Sequence, residues 1–211
     1  MTTLGACALC GEELPKNRMT KHLAACRKRK PGSETWFHLI VQGLRAPQYW
    51  LHLELSPRAK LDDLDRFLRH TWLECCGHMS QFEIQGRRYT SGEKVDPEDR
   101  TMAVAASRVL HPGLAFKHEY DFGTTTELGL RVVAERAGAA GKDKGRLLAR
   151  NTSPRFACEG CGEPATQLCT ECSWERPGWL CARCGNQHEH GEDMLLPIVN
   201  SPRVGTCGYT G

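Results

Sequence analysis

The sequence contains no apolar run approaching the roughly 20 residues that a membrane-spanning helix requires. Its opening stretch, MTTLGACALCGEELPKNR, lacks the apolar core of a signal peptide. These absences point to a cytoplasmic chain whose thiols stay reduced. There is no Gly-x-Ser-x-Gly elbow, no P-loop and no dinucleotide fingerprint. Asp121-Phe122-Gly123 stands without the catalytic-loop and glycine-rich motifs of a kinase. No catalytic residue is assigned on this basis, and no small-molecule substrate is identified. Excess charge is missing too: the net charge of +3 over 211 residues makes the whole chain no polycation. What the sequence does have is cysteine, twelve in all. In a reducing compartment so many thiols mean metal before they mean disulfides. A hydrophobic content of 40% and a charged content of 25% are enough for a packed core.

The chain divides into three parts joined by punctuated stretches. Residues 1–32 hold seven basic and two acidic residues, a charge of +5. Residues 33–137 carry −2, and residues 138–211 carry none. RKRKPGSE closes the first part. AGAAGKDKGRLLARNTSP, rich in Gly and charge, reads as a linker over 138–153 before the last part at 154–211.

The middle part reads as an α+β domain, a small mixed sheet with one main helix. WFHLIVQGL and YWLHLEL are β-branched, aromatic and partly alternating, so they predict two strands around a GLRAPQ turn. Leu51, Leu53 and Leu55 should face the core. Leu61, Leu64, Phe67, Leu68 and Trp72 recur at helical spacing. Asp62, Asp63 and Asp65 sit in the first turn of that helix, where its dipole favours acids. QFEIQGRRYT, LAFKHEYDFG and TELGLRVVAE predict further strands. With its own core, this part should stay folded without its ends and ignore chelators.

Cys7-x2-Cys10-x11-His22-x3-Cys26 has the ligand number and spacing of a tetrahedral zinc site. Gly11 serves the turn, and Leu14, Met19 and Leu23 supply a small core. Lys21, Arg27, Lys28, Arg29 and Lys30 lie on or beside its helix, which makes nucleic acid a candidate partner. In the last part, Cys158-x2-Cys161, Cys169-x2-Cys172 and Cys181-x2-Cys184 are followed by His188 and His190. Eight ligands make two closed zinc sites. In an interleaved arrangement Cys158, Cys161, Cys181 and Cys184 hold one ion, and Cys169, Cys172, His188 and His190 the other. Sequential pairing of the first four cysteines is the alternative, and Cys207 could replace either histidine. Three structural zinc ions are therefore expected. Cys75, Cys76 and His78 could form a partial metal site, but packing is the reading preferred for them. His118, Glu119 and Asp121 do not converge on an alternating strand.

Three resemblances add to this reading. CALCGEELPKNRMTKHLAACRKRK resembles small ubiquitin-binding fingers of DNA-repair proteins; Ala24 stands where those carry an acidic residue, so the resemblance implies the knuckle-and-helix shape. The C-terminal spacing resembles B-box and related cross-braced fingers, which implies a protein- or nucleic-acid-interaction module, with a protein partner as a candidate. Residues 36–135, with WLHLEL, QFEIQGRRY and Tyr120-Asp121-Phe122-Gly123, look like the plasmid pRiA4b ORF-3-like family of bacteria and archaea, some on mobile elements. Thr124–Leu128 stand where that family has further acidic residues, a Trp and a His. The expected function is a non-enzymatic zinc protein that acts as a nucleic-acid- or protein-binding adaptor, linked to plasmids or mobile elements. The alternative is an enzyme or processing factor with chemistry near His78, His118 and Asp121.

Overall fold

A computed structural model describes residues 3–92, 96–139 and 141–211. The chain runs β1 (Leu4–Cys7), β2 (Glu13–Pro15), α1 (Lys16–Ala25), β3 (Glu34–Gly43), β4 (Trp50–Leu55) and α2 (Leu61–Leu68). Then come β5 (Ser80–Ile84), β6 (Arg87–Thr90), β7 (Arg100–Thr101), β8 (Ala115–Tyr120), β9 (Thr126–Gly138) and β10 (Gly145–Asn151). These ten strands form one sheet in the order β2-β1-β10-β4-β3-β9-β8-β5-β6-β7, and only β6–β7 is parallel. The architecture is α+β, mostly sheet with few helices. Among the described residues no helix is long and apolar enough to cross a membrane.

The segment 138–153 departs from its expected role as a linker. Its residues 145–151 form β10, which pairs with β4 on one side and β1 on the other. Leu148 and Ala149 are buried there. Pairing with a neighbour on each side overrides the poor strand propensity of Gly145, Ala149 and Asn151. β10 thereby fuses the N-terminal hairpin to the middle sheet, so the sheet is larger than residues 33–137 alone could make it.

β4 is buried along its whole length, and its two faces serve different cores. Leu51, Leu53 and Leu55 face α2, packed with Leu61, Leu64, Leu68 and Trp72. On the opposite face Trp50 packs with Cys7, Met19 and Leu23 of the N-terminal segment. Its indole Nε1 donates to Thr3 Oγ1 at 2.7 Å. A Cβ on Gly5 would overlap the Trp50 ring, so glycine is required at that crossing. Further along the same face, His38 and His52 are buried with Nε2 and Nδ1 at 2.9 Å. Burial holds both imidazoles neutral, His38 down to about 3 and His52 down to about 4. Glu54 accepts from Arg29 at 3.0 Å. The period-2 alternation of one strand thus splits an aliphatic core from a polar seam under the N-terminal module.

α2 continues through a wider turn over Arg69–Leu73. Asp63 caps its start by accepting from the Lys60 amide at 2.8 Å. Asp65 departs from the expected dipole role. It is buried and accepts from Ser80 Oγ and His118 Nε2, each at 2.7 Å.

Candidate metal centres

Every cysteine of the chain is free, and all twelve fall into four groups of ligating side chains. In each group the ligand atoms lie within 4.8 Å of one another. The groups are Cys7, Cys10, His22 and Cys26; Cys158, Cys161, Cys181 and Cys184; Cys169, Cys172, His188 and His190; and Cys75, Cys76, His78 and Cys207.

Geometry discriminates between disulfides and metal. A disulfide needs sulfurs about 2.0 Å apart. Tetrahedral zinc puts two sulfurs ~3.8 Å apart and a sulfur ~3.5 Å from an imidazole nitrogen, given its usual bond lengths. Cys161 and Cys181 Sγ are 3.6 Å apart. Cys10 Sγ lies 3.4 Å from His22 Nε2. Cys172 Sγ lies 3.3 Å from His188 Nε2 and 3.6 Å from His190 Nδ1. These are edges of tetrahedra, and the donor set suits a borderline-soft cation such as Zn²⁺.

Two of the cysteine turns are built alike. In Cys7–Glu12 the Cys7 amide donates to Glu12 O at 2.9 Å and the Gly11 amide to Cys7 O at 2.8 Å. In Cys158–Glu163 the Cys158 amide donates to Glu163 O at 2.7 Å and the Gly162 amide to Cys158 O at 2.8 Å. Both glycines are left-handed, at φ 79° and 78°. The shared sequence Cys-x-x-Cys-Gly-Glu is the reason: only glycine turns back there without a Cβ penalty. The turn leaves backbone amides aimed at sulfur. The Cys181 amide, from the start of the Ala182–Gly185 helix, together with the turn's Gly160 and Cys161 amides, brings the Cys158 thiol down to about 6. Crowding acts the other way at Cys184, where the neighbouring thiols of Cys161, Cys158 and Cys181 push it up to about 12. Burial pushes the Cys7 thiol up to about 11. Thiolates in such places need a cation beside them, which a metal ion held by the group would supply.

In the first group His22 projects from the last turn of α1, and Cys26 follows immediately after the helix. Glu12 Oε2 lies 3.3 Å from His22 Nδ1, the contact that sets the tautomer of a ligating imidazole. The C-terminal groups share a scaffold of β11 (Gln167–Cys169), β12 (Trp179–Leu180), α3 (Ala182–Gly185) and β13 (Leu195–Pro197). β11 lies between the other two strands. The structure brings together the interleaved sets, not the sequential ones. Phe156 stacks on Trp179 at 3.9 Å between centroids. Trp174 is 79% exposed. Arg176 donates to Cys172 Sγ at 3.2 Å, placing a cation beside that thiol.

Cys207 lies away from both C-terminal groups. It meets Cys75, Cys76 and His78 after α2, and Cys76 is exposed, which removes the packing role expected for it. Of the basic residues, Lys21, Arg27, Lys28 and Lys30 are exposed. Arg29 is not among the free cations, because its guanidinium is held by Glu54 under the finger. His118 is fully buried with Asp65 and Ser80. Asp121 ends the alternation of β8 with φ 66° and turns inward to Arg203, at 2.7 Å. Burial works against its charge, but hydrogen bonds from Thr124, Arg203 and the Gly123 amide hold its carboxyl well below the usual range.

No family model and no curated protein matches the chain. Among solved structures it is similar to the protein of unknown function MM3350 from Methanosarcina mazei Go1. The identity is 18% and the TM-score 0.47, over 58% of this chain and 70% of that one.

Proposed function

We propose that the protein is a structural zinc protein whose N-terminal finger is fused to the central sheet, and that this finger binds nucleic acid through phosphate contacts. The observation that carries this reading is the ligand set: four protein side chains per group saturate a tetrahedral ion and leave no position for substrate. Zinc is the metal this reading assigns to the finger and to both C-terminal groups. The exposed Lys21, Arg27, Lys28 and Lys30 form the cationic surface. A second surface is supplied by Trp174, the most exposed of the large apolar side chains, and favours a protein contact from the C-terminal module. Kinship of the middle region with the pRiA4b ORF-3-like family, and through it a link to plasmids or mobile elements, belongs to the same reading and rests on the residue runs given above. A reducing, cytoplasmic setting keeps the thiolates available.

Binding to duplex DNA should weaken with salt at a log–log slope near −3 to −4, from roughly −0.9 per neutralised phosphate. Replacing Lys21, Arg27, Lys28 and Lys30 together by Ala should remove most of that slope and leave the zinc content unchanged. Fluorescence anisotropy at several salt concentrations measures it. Undiminished binding by the quadruple variant would make the basic residues a solvated surface, and the contact through Trp174 would lead.

A further inference from the structure

We propose that Cys75, Cys76, His78 and Cys207 form a fourth zinc site, which clasps the C-terminal tail to the body of the protein. The proposal shares with the function above the reading of Cys/His groups as zinc sites. It adds an ion that ties together residues 131 positions apart.

The ligand atoms have the spacing of a tetrahedron. Cys76 Sγ lies 3.7 Å from Cys207 Sγ and 3.6 Å from Cys75 Sγ. His78 Nε2 lies 3.3 Å from Cys207 Sγ and 2.9 Å from Cys76 Sγ. Zinc would set these edges at ~3.8 Å between sulfurs and ~3.5 Å from sulfur to nitrogen.

The surroundings hold the ligands from both sides. Glu74 Oε1 accepts from the Gly77 amide at 2.6 Å and from Tyr120 OH at 3.0 Å, which fixes the Cys75–His78 turn. The Tyr120 ring meets the His78 imidazole edge-on at 5.8 Å. Cys207 has φ 52°, a left-handed conformation that costs a non-glycine residue energy unless its surroundings impose it. Arg203 of the same tail is fully buried. It donates to Cys75 Sγ at 3.5 Å, Asp121 Oδ2 at 2.7 Å and Thr126 Oγ1 at 3.0 Å. Three thiolates on Zn²⁺ leave one negative charge, and this guanidinium stands beside it.

The tail reaches the site across the end of α2 and the turn after β8. Ser201 Oγ donates to Trp72 O at 2.7 Å, Asn151 Nδ2 donates to Asn200 Oδ1, and Asn200 Nδ2 donates to the Asn151 main-chain O. The ion would close this path and fix the C-terminal module to the sheet.

The full chain, grown with zinc and exhaustively dialysed, should hold four zinc ions by native mass spectrometry. Cys207→Ser and His78→Ala should each hold three, with amides of residues 200–209 exchanging at least ten-fold faster. His78→Cys keeps four ligands and should keep four ions, which separates ligation from general damage. Three ions in the wild-type chain and three in Cys207→Ser would overturn the proposal while leaving the other sites standing. A Cys76–Cys207 disulfide in the unreduced protein would also overturn it. Absence of all zinc would overturn both this proposal and the function above.

Discussion

Chelation of the full-length protein should unfold residues 154–197 completely while the central sheet survives. The C-terminal module has little else to hold it. Its apolar support beyond the cysteines is Leu180 with partly buried Met194 and Leu195, the buried Leu168 and the Phe156–Trp179 stack, and its one α-helix spans only Ala182–Gly185. A structural zinc ion contributes roughly 10–16 kcal/mol of binding free energy to such a module. That exceeds any stability so small a core supplies. The central sheet keeps the large cluster between β3, β4, β8, β9 and α2. Hydrogen exchange should therefore show protection lost throughout 154–197 and retained in β3, β4 and β9. Cys161→Ser should produce the same loss of the module with zinc present. Protection that outlasts the chelator there would contradict the assignment.

Trp50→Ala should lower stability by about 3–5 kcal/mol, the usual cost of removing a buried aromatic ring. It should also loosen the N-terminal finger, because the ring packs against Cys7, Met19 and Leu23 rather than against α2. Leu4→Ala, at a side chain 47% exposed in the same hairpin, should stay within about 0.5 kcal/mol. Urea denaturation measures both. The same packing revises the expectation that residues 33–137 stand alone. Excising them removes β10, turns β4 into an edge strand and exposes Trp50. That fragment should aggregate or unfold at lower urea than the full chain, because an exposed apolar edge invites pairing. An equal midpoint would show that the finger and β10 add nothing to the sheet.

Local pattern made much of the fold legible. Alternation located β3, β4, β8 and β9, and helical spacing located α2 and the wider turn after it through Trp72. β10 was hidden because its strand signal is only Leu147–Leu148 among Gly, Arg and Asn; its pairing partners lie far away in sequence. Asp65 looked like a dipole-stabilising residue because sequence spacing does not reveal His118 above it. The Cys/His groupings of the finger and of the C-terminal module were legible because Cys-x-x-Cys turns are local devices. The fourth group was not, since Cys207 joins it only through the folded tail. One signal was present: three sites use nine cysteines and leave Cys75, Cys76 and Cys207, with His78 nearby, as another set of four. Arg29 shows the converse limit, a basic residue in a basic run whose charge is spent on Glu54.

These Cys/His groups should behave as closed zinc sites. X-ray absorption at the zinc edge of the dialysed protein tests it most directly, because it counts the atoms bound to the metal. Averaged over the groups, each zinc should have three sulfurs and one nitrogen, at about 2.3 and 2.0–2.1 Å. The ratio is the same for three occupied groups or four. A first shell dominated by oxygen and nitrogen, or a protein without zinc, would contradict the account.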